Sequence, residues 1–273
     1  MSKIALSILF SLTIIHSAAQ ISRIPVASVY TKIGAYTKNH SDAFSMKANQ
    51  ASLAEINSLN GGLYGEQRFM LNELSFYQLA FALPTNSGNF GISGTYFGSN
   101  ENNETELGFA YGRKLGNKVS VGAQFNYYAI EVAGYGSASS INFETAMLLH
   151  VNEQIHVGLH VYNPTGSVLN KGEEERLPSI YHVGIGYEAS SRFFVSAEIE
   201  KMEDFPVSVN GGMQYSFGDK MFARAGFTSG NSLYYFGCGV TLPFLRIDAT
   251  ASVHPQLGVT PGLLLLFKKK NKN

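Results

Sequence analysis

The chain has 273 residues, with 20 Lys and Arg against 20 Asp and Glu, so its formal net charge is zero. That balance leaves no basic footprint for nucleic acid, and a single cysteine, Cys238, excludes an internal disulfide framework. Charged residues make up only 15% of the chain, against roughly 25% in soluble domains, and no segment after the first twenty residues approaches the ~18 apolar residues of a transmembrane helix.

Residues 1–19 carry Lys3, an apolar run from Ile4 to Ile15, and the small residues Ser17, Ala18 and Ala19. The run is too short to span a bilayer and ends at a small-residue site, so it reads as a secretory signal peptide cut near Ala19. Residues 20–60 lack any period of two. Helix-like spacing at Phe44, Met46, Ala51, Leu53, Ala54 and Ile56 predicts a short helical piece there, a hatch-like segment in or near a barrel mouth.

From residue 61 to 268 the pattern changes. Val119, Val121, Ala123, Phe125 and Tyr127 alternate with Ser120, Gly122, Gln124 and Asn126, and Val207, Val209, Met213 and Tyr215 alternate with Ser208, Asn210, Gln214 and Ser216. A period of two is that of a strand. Similar stretches at 63–69, 75–83, 89–97, 104–115, 139–150, 154–162, 179–188, 193–201, 221–227, 232–240, 245–254 and 259–267 bring the total to about fourteen. So many strands with one apolar and one polar face predict an all-β fold, an up-and-down antiparallel transmembrane barrel whose outer face meets outer-membrane lipid.

An even strand count places both chain ends on one side, here the periplasmic side. The turns at 84–88, 116–118, 152–153, 190–191, 218–220 and 243 then fall together and are short, while the long connection 163–178 lies outside, as such barrels require. Within it Lys171, Glu173, Glu174, Glu175 and Arg176 form the candidate loop for a protein partner. Tyr64, Tyr111, Tyr127, Tyr181, Tyr187 and Tyr215 are candidates for an interfacial girdle in a chain without tryptophan. Residues 269–273 are a short basic tail.

Chemistry-bearing residues are few. Glu144, Glu198, Glu200, Arg224, Arg246, Asp248 and His254 are expected to face the lumen. They form either a charged constriction that selects ions or, the favoured reading, opposite charges that pair to fill a narrow interior. His156 and His160 share a strand face with His182 on the next strand, but four residues along a strand span about 13 Å. That is too far for two imidazoles to share an ion at about 2 Å each, so no metal is expected. No nucleophile elbow is present, and the glycines lie within strands instead of opening a helix, so neither an enzyme nor a cofactor site is expected.

Gly34-Ala35-Tyr36, Asp42-Ala43-Phe44-Ser45 and Asn49-Gln50-Ala51-Ser52-Leu53, with Tyr111-Gly112-Arg113, Asn163-Pro164 and His254-Pro255-Gln256-Leu257-Gly258 further on, resemble the FadL-like outer-membrane barrels. They are most similar to the PorV/PorQ branch from Bacteroidetes, with Gln50 where that branch has proline. The resemblance implies a fourteen-stranded barrel partly closed by its N-terminal segment, with Asp42, Asn49 and Leu53 as the hatch motif. It also implies a non-enzymatic accessory role in type IX protein secretion, with a translocon component or secreted cargo as partner. The alternative within the same family is a FadL-like transporter of hydrophobic or small solutes, which a gap in the barrel wall would favour.

Overall fold

The computed structural model describes residues 30–169 and 176–269. The expected leader, Lys171, Glu173, Glu174 and Glu175 of the partner loop, and residues 270–273 of the tail lie outside the described residues.

Alternating residues build fourteen strands: β1 (Asn60–Gln67), β2 (Ser75–Thr85), β3 (Gly88–Gly98), β4 (Asn102–Leu115), β5 (Val119–Val132), β6 (Gly136–His150), β7 (Ile155–Tyr162), β8 (Ile180–Ser190), β9 (Phe193–Met202), β10 (Ser208–Phe217), β11 (Met221–Thr228), β12 (Leu233–Thr241), β13 (Leu245–His254) and β14 (Gly258–Lys268). Each pairs antiparallel with its neighbours, and β14 returns to β1 in the register Asn60 to Lys268 and Gly61 to Phe267, closing the barrel. Closure satisfies every strand edge, which is the condition for a sheet to sit in hydrocarbon. Among the described residues no helix is long and apolar enough to cross a membrane.

The two faces divide as the alternation predicts. On β5 and β6, Phe125 and Ile141 are 64% and 72% exposed, while their neighbours Gln124 and Asn142 are buried. Leu79, Phe81, Ile92, Phe109, Ile199, Val209, Met213 and Phe236 continue the exposed apolar belt around the wall. A belt of that extent suits a lipid solvent and would be untenable in water. Cys238 is exposed on this same face.

The first and last residues of the wall, Asn60 and Lys268, lie at one end of the barrel, called here the near end. The six turns there have two to four residues, whereas the connections at the far end reach seventeen between β7 and β8. Two details depart from the sequence pattern. The strand expected to run through Phe69 stops at Gln67, because Phe69 and Met70 take left-handed backbone, with φ of 54° and 63°. Tyr64 is not in the girdle: β1 points Leu63 outward and leaves Tyr64 2% exposed inside the barrel.

The N-terminal segment is not one helical piece but three. Helix α1 (Tyr30–Gly34) is followed by 3-10 turns at Ala43–Lys47 and Gln50–Glu55. Asp42 caps the first turn and Asn49 the second, each accepting a backbone N–H two residues on, from Phe44 and Ala51. The segment lies within the barrel, not merely at its mouth. Phe44, Met46, Leu53 and Ile56 pack into one apolar cluster with Phe76, Leu264 and Leu266 from the wall, and each such burial is worth about 1.5–3 kcal/mol.

Candidate functional site

The lumen and its plug form the site, and glycine decides where the plug sits. A Cβ on Gly158 would come within 2.0 Å of the Tyr36 ring, and one on Gly184 within 2.6 Å of it. Gly122 and Gly112 lie under the backbone of Gln50, and Gly91 lies under Met46 and Leu53. These inward strand glycines let the plug backbone approach the wall closely. Leu53 of the expected hatch motif is held between Gly91 and Gly112, with its carbonyl accepting from Asn89 Nδ2 at 2.6 Å. Asn49 donates to the carbonyls of Leu159 and Met147 in the wall, at 3.2 and 3.5 Å.

The charged candidates sort into separate networks with no common ring. Asp42 receives Arg246 at 2.8 Å, Arg246 also reaches Asp248 at 3.0 Å, and Arg224 reaches Asp248 at 3.1 Å while its guanidinium lies 4.2 Å over the Phe222 ring. Burial alone would raise the Asp42 pKa, but the charges of Arg246, Lys268 and Arg224, with the Arg246 hydrogen bond, together outweigh it and hold that carboxyl below the ordinary value. Glu198 and Glu200, two apart on β9, face Lys32 and Tyr36 of the plug. Lys32 Nζ is 2.5 Å from Glu200 and 3.8 Å from Glu198, and the Tyr36 hydroxyl donates to Glu198.

Glu144 is fully buried and accepts from Gln50 of the plug at 2.7 Å and from Asn126 at 2.6 Å, with His160 Nε2 at 2.8 Å. His254 does not join these groups. At the end of β13 its Nδ1 accepts the backbone N–H of Gln256 and Leu257, both at 3.1 Å, so it caps the β13–β14 turn at the far end. Of the expected partner loop, Arg176 is described; it is exposed and its backbone bridges Val168.

Several members of the site carry no signal in the strand pattern. Lys32 and Tyr36 lie in the segment without periodicity, and Glu55 joins Lys114 at 2.9 Å, His150 at 3.0 Å and Ser120 at 2.9 Å near the barrel's near end. Burial opposes ionisation of Glu55, but hydrogen bonds from His150 and Lys114 prevail and bring its pKa down to about 2. The run of inward glycines was the available sign that something backbone-deep packs against β3 to β8.

The wall itself carries one apolar recess. A groove of about 480 Å³ opens on the lipid face between Leu63, Leu79, Leu107, Leu263 and Leu265, where Gly65 and Gly94 supply no side chain; Tyr64, Gln78 and Thr95 behind it are paired strand to strand, so the wall has no gap there.

No protein-family model matches the sequence, and no curated protein does. Solved structures do. A CymD monoaromatic hydrocarbon channel matches with a TM-score of 0.68 at 12% identity, over 93% of this chain and 100% of that one. The Pseudomonas putida toluene transporter TodX matches at 0.62 and 10% identity, over 89% and 97%. A Pseudomonas aeruginosa FadL homologue matches at 0.53 and 12%, over 84% and 93%. At these identities the likeness is one of fold, and the PorV/PorQ branch is a finer statement than it reaches. The chain, a closed fourteen-stranded antiparallel barrel, has the fold of these FadL-type outer-membrane barrels.

Proposed function

We propose that this barrel is a FadL-like outer-membrane channel that admits small apolar molecules, non-enzymatically, past a lumen closed to bulk water by its plug. The observation that carries the reading is the apolar groove between Gly65 and Gly94, a recess on the lipid face beneath which β1, β2 and β3 stay paired, so that it is a docking recess and not an open gate. An apolar solute already concentrated in the membrane enters such a recess without crossing water, and shape fit, not transfer out of water, decides its occupancy. Barrels of the same fold described as hydrocarbon channels and a toluene transporter favour this alternative over the secretion-accessory role that the PorV/PorQ resemblance implies.

The test is uptake of toluene and of a charged solute of similar size into proteoliposomes. Toluene entry faster than in protein-free vesicles, with no gain for the charged solute, is the expected result. Filling the groove with Gly94→Leu is expected to reduce toluene entry at least fivefold while the barrel still folds. Stable ionic conductance, or toluene entry unchanged by that substitution, overturns the proposal. Recovery of a secretion component with the purified protein, and no toluene entry, returns the export role to first place.

A further inference from the structure

A second feature of the lumen lies outside transport. His156 and His160 stand too far apart along one strand to share an ion, but the barrel register sets His160 directly opposite His182 across β7 and β8. Their rings stack at 5.0 Å, and His182 then faces Glu198 and Glu200 on β9. His182 Nδ1 lies 3.3 Å from Glu198 Oε1 and 3.5 Å from Glu200 Oε2. For a tetrahedral ion with bonds of about 2 Å, ligand atoms stand about 3.3 Å apart.

Two further observations point to a cation. His182 is 4% exposed, and its Nδ1 is aimed between the two carboxylates, at 3.3 and 3.5 Å, without a well-directed hydrogen bond to either. A buried polar atom of that kind requires an explanation. Two carboxylates here share one ammonium, Lys32, and the His182 imidazole, with neutral donors from Tyr36 and Asn210 completing Glu198. Lys32 belongs to the plug, so its ammonium stands as a tethered monovalent cation in a cluster whose donors suit a divalent one. One imidazole and two carboxylates match borderline transition ions such as zinc or cobalt, and a calcium or magnesium site would use oxygen alone.

We infer that His182, Glu198 and Glu200 form a binding site for a divalent transition-metal ion, reached from the lumen and contested by the Lys32 ammonium. Access is through Glu200, whose side chain remains 20% exposed. Stacking on His160, which is itself fixed to Glu144, holds the His182 ring in place for the ion. Bound metal repels Lys32 and detaches α1 from β9, so metal occupancy and seating of the first plug helix oppose each other.

The experiment titrates Co²⁺ into the tag-free full chain in detergent at fixed pH, followed by the visible d–d absorption of a low-coordinate nitrogen and oxygen site and by calorimetry. One saturable equivalent is expected for the wild type. Lys32→Met, which removes the competitor, is expected to tighten binding at least tenfold, and Glu200→Gln to weaken it at least tenfold. His182→Gln serves in place of Glu200→Gln if that variant fails to show the heat-modifiable band of a folded barrel. His150→Gln, at a buried histidine outside the cluster, is expected to leave the titration unchanged. No saturable binding to the wild type overturns the inference. So does an affinity indifferent to Lys32→Met, or one that neither Glu200→Gln nor His182→Gln lowers.

Discussion

Strands β3, β4, β5, β7 and β8 bring glycines against the plug, so its backbone lies almost against theirs, whereas β9 and β13 meet it mainly through Glu198, Glu200 and Arg246, the last held by Asp248 and through it by Arg224. The first arc positions by shape. Nothing larger than hydrogen fits at Gly158 without moving Tyr36, so contact there is set by excluded volume. The second arc positions by charge, with long side chains that tolerate small displacements but are costly to leave unpaired. One arc therefore sets how closely the plug can approach, while buried ion pairs, Arg246–Asp42 on one side and Lys47–Glu106 on the other, add a penalty for removing it from either side.

The largest effect is expected from breaking the charged arc at its centre. Arg246, 8% exposed in its side chain, serves Asp42 of the plug and Asp248 of the wall. Arg246→Met leaves Asp42 buried without its cation and is expected to cost about 3–5 kcal/mol in urea unfolding from lipid vesicles. The double variant Asp42→Asn with Arg246→Met is expected to recover part of that loss. A cost below about 1 kcal/mol for the single change would mean that charge does not hold this side.

On the glycine arc, Gly158→Val places a side chain in the Tyr36 ring and is expected to cost about 1–3 kcal/mol by overpacking. Gly237→Val supplies the control from the opposite arc, since a Cβ there meets nothing nearer than 3.5 Å. Pairing Gly158→Val with Tyr36→Ala is expected to be non-additive, because the clash disappears with the ring. Equal costs at the two glycines would erase the distinction between the arcs.

Much of this division was legible in the sequence, for a physical reason. A strand exposes its environment every second residue, so the alternation around Phe125 and Val209 reported both the wall and its polarity. Inward charges such as Glu144 and Asp248 followed from the same period, and strand glycines announced close backbone approach. The plug was harder, because 3-10 turns of five and six residues leave too short a pattern to read. Lys32, Tyr36 and Glu55 acquire meaning only from cross-barrel partners with no fixed sequence spacing. His254 keeps the parity of Asp248 and Ser252, but it ends the strand, and its ring is used to accept backbone N–H groups of the turn, a role the period of two does not announce.

Glu55 tests whether a charged contact on the glycine arc behaves like those opposite. Its folded pKa of about 2 lies below the ordinary 4.5, so its stabilisation is complete above 4.5 and is lost as pH falls toward 2. Roughly 1–2 kcal/mol is expected to vanish across that window, after discounting for the solvent around Lys114. Urea midpoints of wild type and Glu55→Gln at pH 6 and pH 3 provide the comparison. If the two proteins lose stability equally on acidification, Glu55 contributes nothing to the slope.

The smallest expected effect separates burial from charge itself. Lys114 and Arg246 each hold a plug carboxylate, at 2.9 and 2.8 Å, but the Lys114 side chain is 45% exposed at the near rim. Water solvates its ammonium with or without Glu55, and Glu55 retains His150 and Ser120 when Lys114 is removed. Lys114→Gln is therefore expected to cost less than about 1 kcal/mol, and that cost is expected to shrink further in 0.5 M salt as the exposed pair is screened. Arg246→Met should keep its full penalty in the same salt, because the buried pair is shielded from counterions. A Lys114→Gln penalty as large and as salt-insensitive as that of Arg246→Met would show that the rim is drier than its exposure indicates.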